Sequence, residues 1–597
     1  MVNSVLKIII LFCTFAIPPS ICLIMDDTID MPKLTIVYFA NILFWSTFFI
    51  SGISKKKINF KRTKLDIPIL LFVLINLIAT VSSIDFLRSL YGSYKLHGYG
   101  FFPLLGFCGL YFATVQVSDE NFLRKLAFVL ITTATIVSIY GILQTFGIKI
   151  FLRMTNSGGK PWSTMGNTIF LAAFLLMVFF LCLGLFFTVQ NKLKFYLILP
   201  FFIITYTLFV TYARGAYLAL FIGLVLFLIS SYKILLRYSL FLILLFLIIL
   251  FSFPKIQERL FSSFDVKNDS ASLARIEGWK TAINIIKDKP FLGIGPDSFV
   301  VGFRKYRRPE YIKYAGAGTI QGTCHNEFLQ IATNCGLFGL LVYLWILYSI
   351  FKMGLKQENI LKKAIFCGLF AFFFQSMFNP NVTANFAIAA ILLGTYTIPI
   401  KEKIISLTKL RKTALFLIFS LAISGIYLLT KPVRAAALYY HGLCWLLTDD
   451  YDKAIDDINE ALQLNPYIPD YWVKIPEIYK NWTDVEKDKI KNELFLYTAL
   501  EFAEKYAGRF KNNPDIQHNT GVVYMWLTGV LKKDLRVQAW EQFRKAVSLD
   551  DCFVQGWESL AKCAGDFGDY QRQREIAKKI LKLNPENSLA KEILSKK

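Results

Sequence analysis

The sequence predicts an all-α protein in two parts: a bundle of about thirteen transmembrane helices with a large external loop, and a C-terminal solenoid of helical repeats. Hydrophobic residues make up 55% of the 597 positions, above the roughly 45–50% of soluble domains, and the mean hydropathy is +0.48. Apolar runs of 18 or more residues recur as far as residue 430. Each can cross a hydrocarbon core about 30 Å thick. Because a chain in lipid must satisfy its own backbone, we expect a polytopic helical bundle.

The apolar runs give the positions of the expected spans. Their centres lie near residues 14, 43, 74, 107, 134, 177, 203, 222, 244, 340, 369, 391 and 420. Lys7 precedes the first run, as in a signal peptide, but no small-residue cleavage site lies before Asp26, so we expect an uncleaved helix. The exact number of spans stays open, most of all between residues 360 and 400.

Basic residues alternate between the connections and predict the orientation. With a cytoplasmic N-terminus, the inside connections are rich in Lys and Arg, from residues 55–64 at the first to 401–412 at the last. The alternate short connections hold few, and short basic loops stay in the cytoplasm. This distribution accounts for much of the net charge of +24 without a nucleic acid partner.

The same topology divides the chain into four expected parts. Residues 1–254 would hold transmembrane helices 1–9, and residues 255–325 a large extracytoplasmic loop with the candidate site. Residues 326–430 would hold helices 10–13, and residues 431–597 an extracytoplasmic set of helical repeats.

The C-terminal part carries a repeat of roughly 34 residues that resembles tetratricopeptide repeats. One unit places small and aromatic residues at the expected spacing: Gly442, Trp445, Ala454, Ile458, Ala461 and Pro466. The last unit does the same: Trp557, Ala561, Ala564, Ala577 and Pro585. A middle unit keeps Ala539, Phe543 and Ala546 but has Asp551 in place of proline, and residues 473–515 match poorly. The repeats hold either a partner or acceptor, or form a rigid cap.

In the external loop, Asp269 or Ser270 can cap a helix that Pro290 ends. Its expected apolar stripe is Leu273, Ile276, Trp279, Ile283 and Ile286. The helix would lie along the membrane with Arg275 and Lys280 towards the head groups, or be an ordinary surface helix. Gly293, Gly295 and Pro296 predict a tight turn and are weak evidence for phosphate binding.

Two groups of basic residues are candidates for an anionic ligand. Arg214 stands between two apolar runs, where its planar guanidinium either binds phosphate or snorkels to the interface. A cluster in the external loop is interleaved with aromatic residues: Arg304, Lys305, Arg307, Arg308 and Lys313. It either binds an anionic lipid-linked substrate or is a solvated loop that touches lipid phosphates.

His325 is the candidate base. If Thr323 caps the next helix, the imidazole lies in its first turn, where the helix dipole and nearby arginines favour the neutral form. A neutral imidazole can accept a proton from a hydroxyl. Asn326, Gln330 and Asn334 continue a polar stripe inward. The alternative is a histidine that merely rests at the interface. No metal site is expected, since His97 and His325 lie in separate loops and no carboxylates are paired.

An ordered set of motifs between about residues 160 and 400 resembles the O-antigen ligase family. It comprises Ala213-Arg214-Gly215-Ala216-Tyr217-Leu218-Ala219, Arg275 to Trp279, Lys289-Pro290-Phe291-Leu292-Gly293-Ile294-Gly295-Pro296, and His325-Asn326-Glu327-Phe328-Leu329-Gln330 before Gly336-Leu337-Phe338-Gly339. The resemblance implies a GT-C-like helical bundle in the bacterial cytoplasmic membrane. It also implies transfer of a glycan from an undecaprenyl diphosphate carrier to an acceptor hydroxyl, outside the cytoplasm and without metal or cofactor.

The same resemblance assigns roles to residues. Arg214 and Arg275 would bind the diphosphate and stabilise the charge on the leaving group. His325 would activate or orient the acceptor, and the anomeric centre would invert. The further candidates for binding diphosphate or glycan are Trp279, Arg304, Arg307, Arg308, Asn326 and Gln330. The acceptor, a lipid, a protein or a growing glycan, stays open, and with it the choice among ligase, polymerase and protein O-oligosaccharyltransferase.

Two other classes of protein, a transporter and a scaffold, are the alternatives to a transferase. A transporter would need ionisable residues near the midplane of several spans, whereas the informative polar residues here collect at the outer rim. A membrane-anchored scaffold, with the repeats as its working part, would need neither thirteen spans nor the set of Arg214, Arg275 and His325.

Overall fold

The computed structural model describes residues 2–148, 150, 159–231, 257, 269–397, 399, 401–406, 411–531 and 533–596. Within these residues the chain is almost entirely helical. The membrane-side helices are α1 Val2–Ala16, α2 Asp30–Ser54, α3 Asp66–Val81, α4 Phe86–Tyr91, α5 Phe101–Val117, α6 Glu120–Thr145, α7 Thr168–Thr188, α8 Asn191–Val210 and α9 Arg214–Ser230. Three described helices lie between the two membrane blocks, α10 Ser270–Asp288, α11 Phe299–Tyr306 and α12 Pro309–Ala315. We call residues 269–326 the external segment, after its predicted position. The second membrane block is α13 Glu327–Leu355, α14 Ile360–Gln375 and α15 Thr383–Tyr396.

The predicted spans coincide with helices wherever the structure describes them. Each predicted centre lies inside a helix, except the one near residue 244, which falls outside the described residues. Six described helices are long and apolar enough to cross a membrane: Asp30–Ser54, Glu120–Thr145, Thr168–Thr188, Lys192–Val210, Glu327–Leu355 and Leu415–Leu446. The chain is therefore a multi-pass membrane protein, and thirteen stays the predicted number of spans.

The bundle is organised around α7. This helix is apolar on all sides, and its residues from 170 to 185 are buried in an unbroken run, as expected of a helix surrounded by others. It packs against α14, α8 and α6. Small residues permit the close contacts, since a side chain at Gly184 would meet Ala364 and one at Gly368 would meet the Met177 backbone.

A short sheet joins the two membrane blocks. Strand β1 (Lys57–Arg62) pairs antiparallel with β2 (Lys401–Ser406), in a register that matches Lys57 with Ser406 and Arg62 with Lys401. Both segments were predicted to be basic loops. Their lysines do not favour strands, so the pairing comes from the contact between two segments over 300 residues apart.

The external segment packs on a small core of its own. Asp269 caps α10 through a hydrogen bond from the Ala271 backbone N–H, as predicted. The predicted apolar stripe is wrong, however, because Ile283 is exposed and the buried face consists of Glu277, Gly278, Thr281, Ala282 and Ile285. This face meets α12 and α13 of the protein itself, so neighbouring helices rather than lipid set its composition.

The glycine-rich turn has a packing role. The backbone N–H groups of Ile294 and Gly295 donate to the carbonyls of Thr333 and Asn334 at 2.8 and 3.0 Å, and Leu337 N–H donates to the Pro290 carbonyl at 2.7 Å. These bonds fill a break in α13 at Gly336, whose φ of 66° and ψ of −169° are not helical. Side chains at Gly293 or Gly336 would collide with the opposing backbone. The turn therefore fixes the external segment to the first half of α13.

The C-terminal helices form a solenoid of antiparallel pairs. Its members are α16 Arg411–Leu446, α17 Tyr451–Leu464, α18 Pro469–Val485, α19 Lys489–Arg509, α20 Pro514–Leu531, α21 Arg536–Leu549, α22 Val554–Asp566, α23 Tyr570–Leu583 and α24 Ser588–Ser595. The small residues that predicted the repeat are buried, including Ala454, Ala461, Ala539, Ala546 and Ala577. α16 runs without interruption from the membrane block into the first repeat.

The matched spacing of the two tryptophans has a structural cause. Trp472 Nε1 donates to the Pro466 carbonyl at 2.9 Å and Trp557 Nε1 donates to the Asp551 carbonyl at 2.8 Å. Each tryptophan thus closes the turn six residues before it. Residues 473–515, where the repeat signature is weak, form α18 and α19 with the same helical-pair arrangement.

Candidate functional site

Arg214 is the first residue of α9 and is tied to the start of α10. Its Nη1 lies 2.8 Å from Asp269 Oδ2, and Asp269 also accepts a hydrogen bond from the Ser272 hydroxyl at 2.7 Å. Partial burial raises the pKa of the Asp269 carboxyl, but the bonds from Ser272 and Arg214 outweigh it and hold that pKa below its usual range. The Arg214 side chain is 28% exposed, and Asp269 binds only one of its guanidinium nitrogens.

Arg275 lies on α10, less than two turns after Asp269. Among the described residues it makes no hydrogen bond or ion pair. Burial and the neighbouring charge of Arg214 both lower its pKa, although a guanidinium stays protonated at any physiological pH. Two guanidinium groups therefore share one described carboxylate, Asp269. The arrangement has an excess positive charge that an anion would neutralise.

His325 lies on the same side of α10 as Arg275. Arg275 and Trp279 are four residues apart, so they project from one face of the helix. Trp279 Nε1 donates to the carbonyl of Cys324, next to His325, at 3.0 Å. Burial first, and the charge of Arg275 second, lower the pKa of His325 to about 4. The imidazole is therefore neutral at pH 7, as predicted.

The predicted position of His325 in the first turn of a helix is wrong. α13 begins at Glu327, and its cap is Asn326, whose Oδ1 accepts from Leu329 N–H at 3.0 Å. His325 precedes this cap with a φ of 50°, a conformation that non-glycine residues rarely adopt. Burial and Arg275, rather than a place within the helix, keep its ring neutral.

The neighbours of His325 fix its backbone from both sides. Cys324 N–H donates to Gln330 Oε1 at 2.8 Å, and Gln330 Nε2 donates to Asn334 Oδ1 at 3.1 Å. Trp279, Asn326 and Gln330 were predicted to bind substrate, but their polar groups make these internal bonds. They hold the loop, whereas His325 Nδ1 is buried and has no hydrogen bond within the described part of the chain.

The basic cluster is not at this site. Arg307 donates to Asp550 of the repeats through Nε and Nη2, at 2.8 and 2.7 Å, and both side chains are fully buried. Arg304 pairs with Asp515 and Asp550 of the repeats. Carboxylates more than 200 residues downstream therefore neutralise both guanidinium groups, and the substrate-binding role of Arg304 and Arg307 stays a prediction. We call this group, Arg304, Arg307, Asp515 and Asp550, the clasp.

Arg308 also has acidic neighbours. Its guanidinium lies 3.6 Å from Glu277 and 3.3 Å from Glu310. Since both partners belong to the external segment, Arg308 is neutralised locally. Its predicted contact with a diphosphate has no support in this geometry.

Three features beside the site were not predicted. Asp269 was recognised as a cap but not as the partner of Arg214, which lies 55 residues earlier. Gln321 faces Gly278 of α10, and both polar atoms of its side chain are buried without a hydrogen bond among the described residues. Glu327 accepts from the Tyr99 hydroxyl at 2.9 Å, and Asn381 N–H donates to that hydroxyl at 2.9 Å. No local signal marks these long-range partners.

Within the described residues, no group of three His, Cys, Asp or Glu side chains is arranged to hold a metal ion. His97 lies apart from His325, with Nε2 3.1 Å from Asp27 Oδ2.

Comparison with known proteins identifies the segment that holds the site. Residues 199–344, which include Arg214, Arg275 and His325, match the family model described as O-antigen ligase. This is narrower than the range of about 160 to 400 over which the sequence motifs resemble that family. No curated protein matches the chain.

Solved structures similar to the chain include two helical proteins. A thermophilic TPR protein of Thermus thermophilus has 18% identity and a TM-score of 0.23, over 31% of this chain and 90% of that one. Yeast Tom70 has 12% identity and a TM-score of 0.19, over 81% of this chain and 94% of that one.

Proposed function

We propose that this membrane protein, whose residues 199–344 match the O-antigen ligase family, transfers a glycan from an undecaprenyl diphosphate carrier to an acceptor hydroxyl. The reaction takes place at the outer face of the cytoplasmic membrane, inverts the anomeric centre and uses no metal ion. A family match to O-antigen ligases supports a membrane glycosyltransferase in general terms. The donor, the acceptor type and the roles of individual residues are our proposal.

The observation that carries the proposal is the state of Arg275. It is half-buried, lies beside a second guanidinium, and has no anionic partner of its own among the described residues. Burying a cation without a partner is costly unless a ligand supplies the charge. A diphosphate fits, because its oxygens accept the paired N–H groups of a guanidinium.

Arg214 and Arg275 would act on the leaving group. When the bond between the anomeric carbon and the diphosphate oxygen breaks, negative charge grows on that oxygen. Fixed cations stabilise such charge most effectively where water is excluded. Asp269 holds the guanidinium of Arg214 before the reaction, and α10 places Arg275 beside it, so only the Arg275 side chain has to adjust to the diphosphate.

His325 would act on the acceptor. Its neutral ring takes the proton of the acceptor hydroxyl as that oxygen forms the new bond to the anomeric carbon. Attack from the side opposite the diphosphate inverts this carbon. The bonds from Trp279 to Cys324 and from Leu329 to Asn326 hold the two residues that flank His325. Proton acceptance therefore needs no movement of the loop.

The clasp supports an extracytoplasmic position for the repeats. It ties α11, in the same external segment as Arg275, to two carboxylates of the solenoid. If the site faces outward, the repeats do as well. We further propose that residues 255–325 form the external loop with the site, and that the repeats beyond residue 431 present or cover an acceptor.

The test is transfer by the full chain in detergent with a chelator present. The donor is an undecaprenyl diphosphate-linked glycan, and the candidate acceptors are a lipid-linked core sugar, a serine-containing protein and a second donor molecule. We expect one acceptor to be used, with inverted configuration by NMR, and His325→Ala to lose about 100- to 10,000-fold in rate. The accepted substrate distinguishes ligase, protein O-oligosaccharyltransferase and polymerase.

Two results would oppose the proposal. Equal transfer by a folded His325→Ala variant would remove His325 from the chemistry. A parent protein that transfers to no acceptor, but moves the lipid-linked glycan across a vesicle membrane or captures a protein through the repeats, would favour a transporter or a scaffold.

A further inference from the structure

A large cavity, which we call the groove, lies apart from Arg214, Arg275 and His325. It has a volume of about 1820 Å³ and lies between α2, α5 and α16 of the membrane block and the repeats above them. Its lining includes none of those three residues. The volume exceeds the roughly 300–1,000 Å³ of pockets for drug-sized ligands. The cavity is therefore large enough for a long ligand, and the site described above does not account for it.

The part of this groove along α2 is lined mainly by apolar and aromatic residues and follows a helix that can cross the membrane. On α2 its lining runs along one face from Met31 to Trp45. At 1.5 Å per residue, this face spans roughly 21 Å of a hydrocarbon core about 30 Å thick. Leu105 of α5 and Leu428 of α16 complete the walls and are 39% and 61% exposed. A soluble ligand would gain nothing at that depth, whereas an acyl chain would.

Glycines shape the groove where the helices meet. Side chains at Gly106 or Gly109 of α5 would collide with Val37 or Asn41 of α2. Gly425 of α16 likewise faces Ile42 of α2, which would lie only 3.1 Å from an added side chain. These close approaches hold the walls together at their base. The groove is thus built into the packing of the three helices.

The upper part of the groove is cationic. Several basic residues of the lining have acidic partners: Arg88, Lys95, Arg304 and Lys474. Lys431, Arg509 and Lys511 have no carboxylate partner among the described residues, and the lining carboxylate that equally lacks a partner is Asp470. The mouth of the groove therefore carries an excess of positive charge.

Aromatic rings line the boundary between the two parts. Tyr91 stacks on Tyr467 at 6.1 Å with an interplanar angle of 16°, and the Arg509 guanidinium lies 5.0 Å from the Tyr467 ring centroid. Aromatic residues with an apolar body and a polar tip are typical of the level where head groups meet acyl chains. The order of apolar, aromatic and cationic surface matches that of a membrane lipid.

We propose that this groove binds an anionic phospholipid of the outer leaflet. The acyl chains lie along α2 between α5 and α16, and the phosphate lies beneath the repeats beside Lys431 and Lys511. The bound lipid fills the space between the solenoid and the bundle. The proposal stands apart from the transfer reaction, since it uses no residue of the candidate site.

The experiment is photo-crosslinking in phosphatidylcholine vesicles that contain the full chain. One probe is phosphatidylglycerol with a diazirine on an acyl chain, and the other is phosphatidylcholine with the same chain. We expect the anionic probe to label peptides of α2, α5 and α16 in preference to the zwitterionic one. Lys431→Gln with Lys511→Gln should reduce the anionic labelling by roughly fivefold for each cation removed.

Matched variants separate the groove from general lipid contact. Leu428→Trp places a bulky ring in the groove and should reduce labelling, whereas Phe419→Trp, nine residues away on the opposite face of α16, should not. Lys491→Gln with Lys582→Gln removes two exposed charges elsewhere on the repeats and should leave labelling unchanged. Arg275→Ala should label like the parent, so failure of the transferase proposal would not affect this result.

Three outcomes would overturn the inference. The first is equal labelling by the two probes, or labelling mapped to other helices. The second is full competition by soluble glycerophosphoglycerol, which would make the site one for a head group alone. The third is loss of labelling through dimerisation, seen as a doubled mass, which would assign the groove to a second copy of the chain.

Discussion

The arginines of the clasp, Arg304 and Arg307, and those of the candidate site, Arg214 and Arg275, have opposite surroundings. In the clasp, both oxygens of Asp550 bind Arg307, and Asp515 adds a further carboxylate for Arg304. At the candidate site, Arg275 forms no ion pair with a carboxylate among the described residues. The one carboxylate paired with Arg214 there is Asp269. Arginine thus forms ion pairs within the protein in the clasp, whereas at the candidate site it carries a positive charge that the protein does not neutralise.

The comparison shows that a run of basic residues does not by itself indicate an anionic ligand. The more strongly basic stretch, from Arg304 to Arg308, is the one whose three arginines the protein neutralises. The charge of the isolated Arg275 is not neutralised by any described carboxylate. A functional reading therefore depends on the partners of each cation rather than on the density of cations.

The largest expected effect is the loss of transfer in Arg275→Ala. Removing a cation beside a developing negative charge should lower the transfer rate about 100- to 1,000-fold. Thermal stability should stay the same or rise, because the repulsion between Arg214 and Arg275 is relieved. The matched control is Lys280→Ala, on the same helix, whose exposed ammonium pairs with Glu277. Similar transfer rates for the two variants would show that Arg275 contributes no more to transfer than a lysine that is already paired.

Substitutions in the clasp should lower the stability of the protein rather than the rate of transfer. Asp550→Ala leaves Arg307 buried without a partner, which should cost about 3–5 kcal/mol in the free energy of unfolding. Asp551→Ala is the adjacent control, since its pair with Lys579 is exposed and should be worth about 0–1 kcal/mol. Calorimetry of the purified protein measures both.

A double variant sharpens this prediction. Burial raises the pKa of Asp550 even though Arg307 lies beside it, so desolvation opposes the ion pair. Arg307→Met combined with Asp550→Leu should therefore recover the stability that Asp550→Ala loses. A double variant as unstable as the single one would show that the charges themselves hold the repeats in place.

The pH dependence of transfer tests His325. Its pKa of about 4 in the folded protein lies below the value of 6.5 for a free histidine. The ring stays neutral as pH falls from 7 to about 5, so kcat/KM should fall only as pH approaches about 4. The unfolded chain takes up the proton already near pH 6.5, so this residue lowers stability progressively between pH 6.5 and 4. A decline in kcat/KM centred near 6.5 would show that His325 is solvated.

The smallest expected effect concerns the support of His325. Trp279→Phe removes one hydrogen bond to the Cys324 carbonyl and should cost about 0.5–1.5 kcal/mol of stability. It should also lower kcat with little change in KM, because the loop that carries His325 loosens. Trp557→Phe removes the same kind of bond far from the site. Equal kcat values in the two variants would leave Trp279 with a purely structural role.

Much of the helical architecture was predictable, for a local reason. Each apolar run is long enough to define a helix by itself, and the small residues of the repeats recur at a fixed period. The sheet between β1 and β2 was not predictable, because lysine-rich segments carry no strand signal. The break in α13 at Gly336 was not predictable either. A glycine in an apolar helix usually indicates close packing, and the break depends on hydrogen bonds to the distant turn from Pro290 to Gly295.

The candidate site was predictable only in part. The spacing of Arg214, Arg275 and His325 says nothing about their proximity, and the resemblance to a family linked them. The clasp could not be foreseen, because Asp550 lies 243 residues after Arg307. Trp279, Asn326 and Gln330 were predicted to bind substrate. Their hydrogen bonds to the loop that carries His325 could not be predicted, because they depend on how that loop folds.

Binding of undecaprenyl diphosphate is the most direct test of where the carrier is held. The carrier without its glycan is titrated into the detergent-solubilised parent, Arg275→Ala and Arg308→Ala, with a chelator present, and heat is measured. We expect Arg275→Ala to weaken binding by about tenfold or more, the loss of one strong charge-assisted bond of roughly 1.5–3 kcal/mol. Arg308→Ala, whose charge is already neutralised by Glu277 and Glu310, should bind like the parent. Unchanged binding by Arg275→Ala, or equal weakening in both variants, would contradict the account.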